Sequence, residues 1–378
     1  MSLPEAAARA RAVSDDVLFP SAQHTDRASL VPTSNLEALR DAGLFGLHAP
    51  TDMPGGLGAT HADARPIIEA VAGGCGATAF VWAQHHGAVR RVVGGDGPAR
   101  GAWLPRLCDG STLAGIGFAY LRRPGPSAVR ASRTKAGWHI EGRAPWITGW
   151  GLIQALVLMA RADDGSVVTV VLDRPAEHPS LVAGEPHALA VMGATGTVTL
   201  TFSGLKVPEH DVIGVQTDEQ WRRRDRAGAA LPAAAPLGIA DRAIRLVEEA
   251  TNGPAGLAAT LRPELAERRA AADLLAAEVA AAMPTTTDLM SDEPLDVPTD
   301  DRFSDAIAAG TAERDRGLDL ARRATDALVV ATGGEAMSLE HPAQRLSREA
   351  TFYLIQAQTG ELRAATLARL MAPHTHPR

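Results

Sequence analysis

The stretch GWHIEGRAPWITGW, residues 137–150, gathers three of the chain's six tryptophans, Trp138, Trp146 and Trp150, around Thr148. Aromatic residues make up only 4% of the sequence, so the concentration calls for a reason. Working outward, residues 113–214 carry further short β-rich runs: LAGIGFAYL, ALVLMARA, SVVTVVLD and TVTLTFSGLKVP. Gly, Pro, Asp and Ser bound them at near-regular spacing, the pattern of an antiparallel sandwich or barrel.

On either side the period changes. Residues 1–112 read as helical: SNLEALRDAGLFGLHAP offers Ser34 or Asn35 as N-cap and apolar Leu36, Leu39, Leu44 and Leu47. DARPIIEAVAGGCGATAFVWAQHHGAVRRVV is mostly apolar with small residues at 72–77, as expected of closely packed buried helices. Residues 215–378 return to Ala/Leu-rich amphipathic helix, with two late helices expected at about 303–332 and 342–371. A Pro/Asp/Thr loop at 284–301 is expected to be exposed, and the tail APHTHPR to be frayed. The expected architecture is therefore α+β and multidomain: an N-terminal helical domain (1–112), a central antiparallel β-sandwich or barrel (113–214) and a C-terminal four-helix bundle (215–378).

Composition bounds the function. A net charge of −7 gives no reason to expect nucleic acid or a membrane surface. Lys135 and Lys206 are the only lysines, so nearly all positive charge is Arg. Cys75 and Cys108 are the only cysteines, too few for a disulfide framework or a four-thiolate metal site. The Ala/Arg-rich start has no secretory h-region and no long apolar run follows, so a cytoplasmic location is expected. The sequence has no GxGxxG between strand and helix, no GxxxxGK[ST], no HExxH and no GxSxG.

Five phrases, in order, resemble the acyl-CoA dehydrogenase superfamily over nearly the whole chain. LEALRDAGLFGLHAPTDMPGGLGAT is similar to its N-terminal helix and glycine loop. Trp103, Leu104, Pro105, Leu107 and Gly110 match its W-L-P-x-L-x-x-G bridge. Glu141 to Gly149 stand where the family has N-G-x-K-x-W-I-T-N, and VMGATGTVTLTFSGLKVPEHDVIG matches a later β segment closing on Val207-Pro208 and Gly214. ATGGEAMSLEHPAQRLSREATFYLI resembles the late G-G phrase. The resemblance implies a flavin, FAD with FMN as the other choice. Trp146 and Ile147 would lie near its ring, and Thr148 would hydrogen-bond its N5 edge. Gly333 and Gly334 would let backbone approach the cofactor of a neighbouring subunit, and Thr359 joins the cofactor contacts. The plain alternative for the tryptophans is ordinary core packing.

The departures bear on activity. Dehydrogenation of an acyl thioester needs a base for the α-proton and flavin N5 for the β-hydride. The family's usual Glu position is Ala357. Weak substitutes are Glu361, one helical turn further on, and Asp225 on the helix leading into PLGIADRA; either is equally a solvated helix carboxylate. The family loop T-E-P-x-x-G-S-D is replaced by Leu121-Arg122-Arg123-Pro124-Gly125-Pro126-Ser127. The resemblance implies that Ser127 would still meet a pyrophosphate oxygen and that backbone amides near Tyr120–Leu121 would meet the pyrimidine edge. The usual partner-subunit grip is not seen in TNGPAGLAATLRPELAE, and Val330 takes the place of a Gln. His85 and His86 follow FVWAQ; in flavin monooxygenases of this fold an early helical His lines the substrate and oxygen pocket, so His86 is a third weak catalytic candidate. No third ligand is spaced for a zinc site, and no metal is expected.

Three readings follow. The first is an acyl-CoA dehydrogenase-like flavoprotein acting on an acyl thioester, with its base displaced. The second is a flavin monooxygenase of the same fold. The third is a non-catalytic subunit paired with an active relative. The resemblance also implies a homodimer or homotetramer, or a heteromer with a related subunit.

Overall fold

The structure, a computed structural model, describes residues 1–250, 256–282 and 300–371. The expected loop at 284–301 lies almost wholly outside the described residues, as does the tail from 372 and part of TNGPAGLAATLRPELAE. Two compact units meet in sequence between Arg222 and Arg223.

The first unit opens with six helices: α1 (Leu3–Val13), α2 (Phe19–Arg27), α3 (Thr33–Asp41), α4 (His61–Gly74), α5 (Gly76–Val93) and α6 (Ala99–Cys108). Thr60 starts α4 with a reciprocal capping box to Asp63. The small residues around α4's end have a steric reason. A Cβ on Gly74 would lie 2.8 Å from the Leu18 side chain, so only glycine admits that approach. Trp82 and His85 of α5 are buried, as are Leu104 and Leu107 of α6.

The strands follow: β1 (Ala114–Gly117), β2 (Val129–Thr134), β3 (Gly137–Ile147), β4 (Ala155–Ala162), β5 (Val167–Asp173), β6 (Leu181–Ala183), β7 (Val198–Pro208) and β8 (Val212–Gln216). They form one eight-stranded sheet in the order β6-β7-β3-β2-β4-β5-β8, with β1 beside β4. Most pairings are antiparallel, but β1 and β2 both run parallel to β4. β1 enters from α6, so no hairpin dictates its direction. It pairs with Ala155–Leu158, whereas β2 pairs with Arg161 and Ala162. Two short strands thus dock end to end along one edge of β4. Between them the Tyr120 hydroxyl reaches the Met159 carbonyl, in the stretch of β4 that neither strand pairs. The α5 and α6 side chains Ala88, Val89, Trp103 and Leu107 pack on Ala114, Ile116, Val157 and Ile213, so helices and sheet share a core.

The second unit is helical: the end of α7 (Asp218–Ala230), then α8 (Ala234–Glu249), α9 (Leu257–Ala281), α10 (Asp300–Thr332), α11 (Pro342–Tyr353) and α12 (Gly360–Met371). At Gly310 on α10 a Cβ would stand 2.5 Å from the Ala230 carbonyl oxygen, so glycine lets the two helices touch. A buried ion pair ties α9 to α10, Arg268 with Glu313 at 2.6 Å, and a second lies within α11, Arg345 with Glu349 at 2.9 Å. One expectation needs correction. The segment 342–371 is not one helix; it breaks between Tyr353 and Gly360.

Candidate functional site

Strand β3 does not end regularly. Its pairing with β7 shifts between Ala144 and Ile147, leaving an extra residue on the β3 side. Pro145 has no N–H for the ladder. Trp146 takes a left-handed backbone, φ 65°. For an L-residue other than Asn or Asp that conformation costs about 1–2 kcal/mol, and such residues gather at functional sites. The indole is 51% exposed and packs at a tilt on His187, ring centroids 4.7 Å apart. His187 is held by its N–H to the Thr197 carbonyl at 2.9 Å and by Nε2 to Thr199 Oγ1 at 3.3 Å.

The residues after Trp146 turn inward. Ile147 is fully buried, and Thr148 is 4% exposed. Thr148 Oγ1 lies 3.0 Å from Thr197 Oγ1, which lies 2.9 Å from Thr195 Oγ1. Thr195 Oγ1 donates to the Met192 carbonyl at 2.7 Å. The amides of Gly149 and Trp150 donate to the carbonyls of Thr195 and Gly196. Met192 is itself left-handed, φ 62°. The Trp146–Thr148 bulge and the 192–197 turn thus form one braced assembly of two strained residues and three linked hydroxyls. The sequence reading missed Thr195, Thr197 and His187. The every-second-residue threonines Thr195, Thr197, Thr199 and Thr201 were the available signal.

The loop between β1 and β2 holds the other first-unit candidates. Leu121 is buried and its amide donates to the Phe118 carbonyl at 2.8 Å. Ser127 Oγ donates to the Val129 carbonyl at 2.7 Å. Both groups are therefore engaged within the loop.

The paired histidines divide. His85 Nε2 sits between the carbonyls of Phe45, at 3.3 Å, and Leu107, at 3.1 Å, and Nδ1 accepts the Ala114 amide at 3.2 Å. That geometry demands a neutral ring protonated at Nε2. Burial lowers its pKa to about 4. His85 is thus a buried tie between loop, helix and strand. His86 is 3% exposed and packs edge-on against Trp82, centroids 4.2 Å apart. Burial, then the neighbouring His85, His48 and Arg90, hold its pKa well below the usual value. Burial also lowers His48 to about 4 and His61 to about 3, with Arg90 adding to both. Among the described residues no group of three or more His, Cys, Asp or Glu is placed to hold a metal ion.

In the second unit, the break between α11 and α12 contains Ala357, also left-handed at φ 55°. Arg314 Nη2 donates to the Gln356 carbonyl at 2.6 Å, and Gln358 Nε2 to the Leu354 carbonyl at 2.5 Å. Thr359 caps α12, its Oγ1 accepting the Leu362 amide at 3.2 Å. Glu361 is exposed in the first turn of α12 and pairs with Arg226 at 3.3 Å. Both line a cavity of about 560 Å³ with Asp315, Arg316 and Arg369. Asp225 is buried, next to Arg226 in sequence but not among that cavity's lining residues. Gly333 is left-handed at φ 71°, and open space surrounds the Cβ positions of Gly333 and Gly334.

Residues 4–111 match the family model "Acyl-CoA dehydrogenase, N-terminal domain". The chain is 27% identical over 222 residues to 3-sulfinopropanoyl-CoA desulfinase of Paraburkholderia xenovorans (strain LB400), covering 54% of this chain and 53% of that protein. It is 24% identical over 366 residues to (2S)-methylsuccinyl-CoA dehydrogenase of Cereibacter sphaeroides, covering 91% of this chain and 64% of that one. The matches thus span about half to two thirds of these curated relatives' length. The fold is shared with glutaryl-CoA dehydrogenase of Mycobacterium smegmatis in complex with FADH2 (18% identity, TM-score 0.73, 100% and 96% of the two chains). It is shared too with FMN-bound TdsC of Paenibacillus sp. A11-2 (16% identity, TM-score 0.76, 97% of each chain). Residues 4–111 thus carry the N-terminal domain of the acyl-CoA dehydrogenase family model, and the chain as a whole shares the fold of the solved acyl-CoA dehydrogenases. No described helix is long and apolar enough to cross a membrane.

Proposed function

We propose that this chain is a flavin-dependent oxidoreductase acting on an acyl thioester, and that Trp146, Ile147 and Thr148 form the wall on which the isoalloxazine ring rests. The observation that carries the reading is the bulge itself. A half-exposed indole on a strained, fully braced turn is a flat apolar surface with no role in the core. That surface suits a planar aromatic ring. FAD is the first choice and FMN the second, since structures of both kinds share this fold. Ser127 on its loop is proposed as a further cofactor contact of the first unit; Gly333, Gly334 and Thr359 are proposed separately as cofactor contacts of the helical unit. Gly333 and Gly334 would serve a neighbouring copy in a homodimer or homotetramer.

When bound, the flavin supplies a hydride acceptor. The chain's own part is to orient substrate and take the α-proton. Ala357 has no group to do so. Glu361 is the proposed base, because it lines a cavity of the second unit and pairs with Arg226 there. Asp225 and His86 are weaker choices: the first is buried away from that cavity's lining, and the second is held neutral in the first unit's core.

The oxygenase reading keeps one specific observation, a left-handed alanine at the family's usual base position. The test has two arms. Purified protein is examined for a bound chromophore, which is released and identified. It is then mixed with an acyl-CoA panel without oxygen. Bleaching of the flavin that Glu361→Gln abolishes supports the dehydrogenase. A flavin that stays oxidised across the panel, with oxygen consumed once it is chemically reduced, transfers the assignment to an oxygenase.

A further inference from the structure

We propose that Thr197 and Thr195 fix the direction of the Thr148 hydroxyl, so that the ring site presents an acceptor and favours a ligand carrying a proton at the contacting nitrogen. The inference rests on the flavin reading above. It follows from counting protons. A carbonyl has none, so the 2.7 Å contact between Thr195 Oγ1 and the Met192 oxygen can be filled only by the Thr195 proton. Thr195 then has only lone pairs to offer Thr197, which donates across 2.9 Å. Thr197 in turn accepts from Thr148 across 3.0 Å. Reversing the chain leaves the Thr195 and Met192 oxygens facing each other with no proton between them. All three threonines are buried, which removes bulk water as an alternative partner.

The Thr148 proton is therefore committed inward, and its remaining capacity is a lone pair. Oxidised flavin offers a lone pair at N5; the two-electron-reduced form carries a proton there. An acceptor held at that edge favours the reduced form and raises the midpoint potential of bound flavin. Thr195 and Thr197 act through Thr148 and are positioning residues.

The experiment compares the full-length wild-type chain with Thr197→Val and Thr197→Ser, each reconstituted with FAD and separately with FMN. Dissociation constants are measured for the oxidised and the dithionite-reduced flavin, with the midpoint potential as an independent readout. Valine keeps the shape but cuts the relay and frees the Thr148 proton. The ratio of oxidised to reduced dissociation constants is expected to fall about tenfold in Thr197→Val, a drop of about 30 mV for a two-electron couple. Thr197→Ser restores the hydroxyl and is expected to keep the wild-type ratio. An unchanged ratio in Thr197→Val, or an equal fall in both variants, overturns the relay while leaving the flavin reading intact. Failure of the wild-type chain to bind either flavin overturns both.

Discussion

Arg314, on the long helix α10, donates from Nη2 to the carbonyl of Gln356 at 2.6 Å, immediately before the left-handed Ala357. A buried guanidinium thus holds open a turn that local preference would close into helix. Glycine tolerates φ 55° where alanine does not, so Ala357→Gly is expected to raise stability by about 0.5–1 kcal/mol. Arg314→Met is expected to lower it by about 2–3 kcal/mol through loss of a charged hydrogen bond. Urea midpoints at constant slope measure both. Ala357→Glu places a carboxylate on the same turn. It is expected to raise the rate of anaerobic flavin bleaching by acyl-CoA at least about tenfold, within the range general-base catalysis spans.

Trp146 separates fold from function. Its indole is half exposed and its backbone strained, so Trp146→Gly removes little packing and relieves left-handed strain. The denaturation midpoint is expected to move by no more than about 1 kcal/mol. Flavin affinity, read by fluorescence titration, is expected to fall at least about tenfold, as for an aromatic contact at the centre of a ligand site. A large stability loss with unchanged affinity would make the residue structural.

The buried histidines set an acid limit. His85 is neutral in the fold, its pKa lowered to about 4 from 6.5, and His86 lies well below its ordinary value. The unfolded chain therefore binds more protons below about pH 6.5. Stability is fully present above that pH and falls as pH drops toward 4, with a slope of at most about 1.4 kcal/mol per pH unit for each histidine. His86→Phe, which removes no hydrogen bond of good geometry, is expected to take one histidine's share out of that slope. Denaturant titrations from pH 7 to about pH 4.5 provide the measurement.

Gly310 tests the helix contact. A methyl there would sit 2.5 Å from the Ala230 carbonyl, a backbone atom that cannot swing aside. Gly310→Ala is expected to destabilise by about 1–3 kcal/mol despite alanine's better helix propensity, as overpacking does. Thermal unfolding would show it directly.

The end of β3, on which the candidate site is built, was legible in the sequence because its signals are local. The Trp146-Ile147-Thr148 run marks a strand end, and β3 does end at Ile147. What escaped depends on partners distant in sequence. Nothing near Gln356 reveals Arg314, and the apolar Leu354 and Ile355 continue a helical pattern that a tertiary hydrogen bond interrupts. The paired histidines looked alike; only the three backbone groups around His85 tell them apart. The two parallel pairings depend on where β1 enters, which no hairpin signal encodes. The hydroxyl chain from Thr148 through Thr197 and Thr195 to the Met192 carbonyl was not legible, because it joins segments about fifty residues apart.

The end-to-end docking of β1 and β2 along β4 has an evolutionary corollary. Residues 118–128 must leave the sheet plane and come back to the same edge, and Tyr120 bridges the gap they leave behind. Insertions, deletions or swaps of charge in that excursion disturb neither strand's register. The length and charge of this excursion, Arg122 and Arg123 included, can therefore change without putting the sheet at risk.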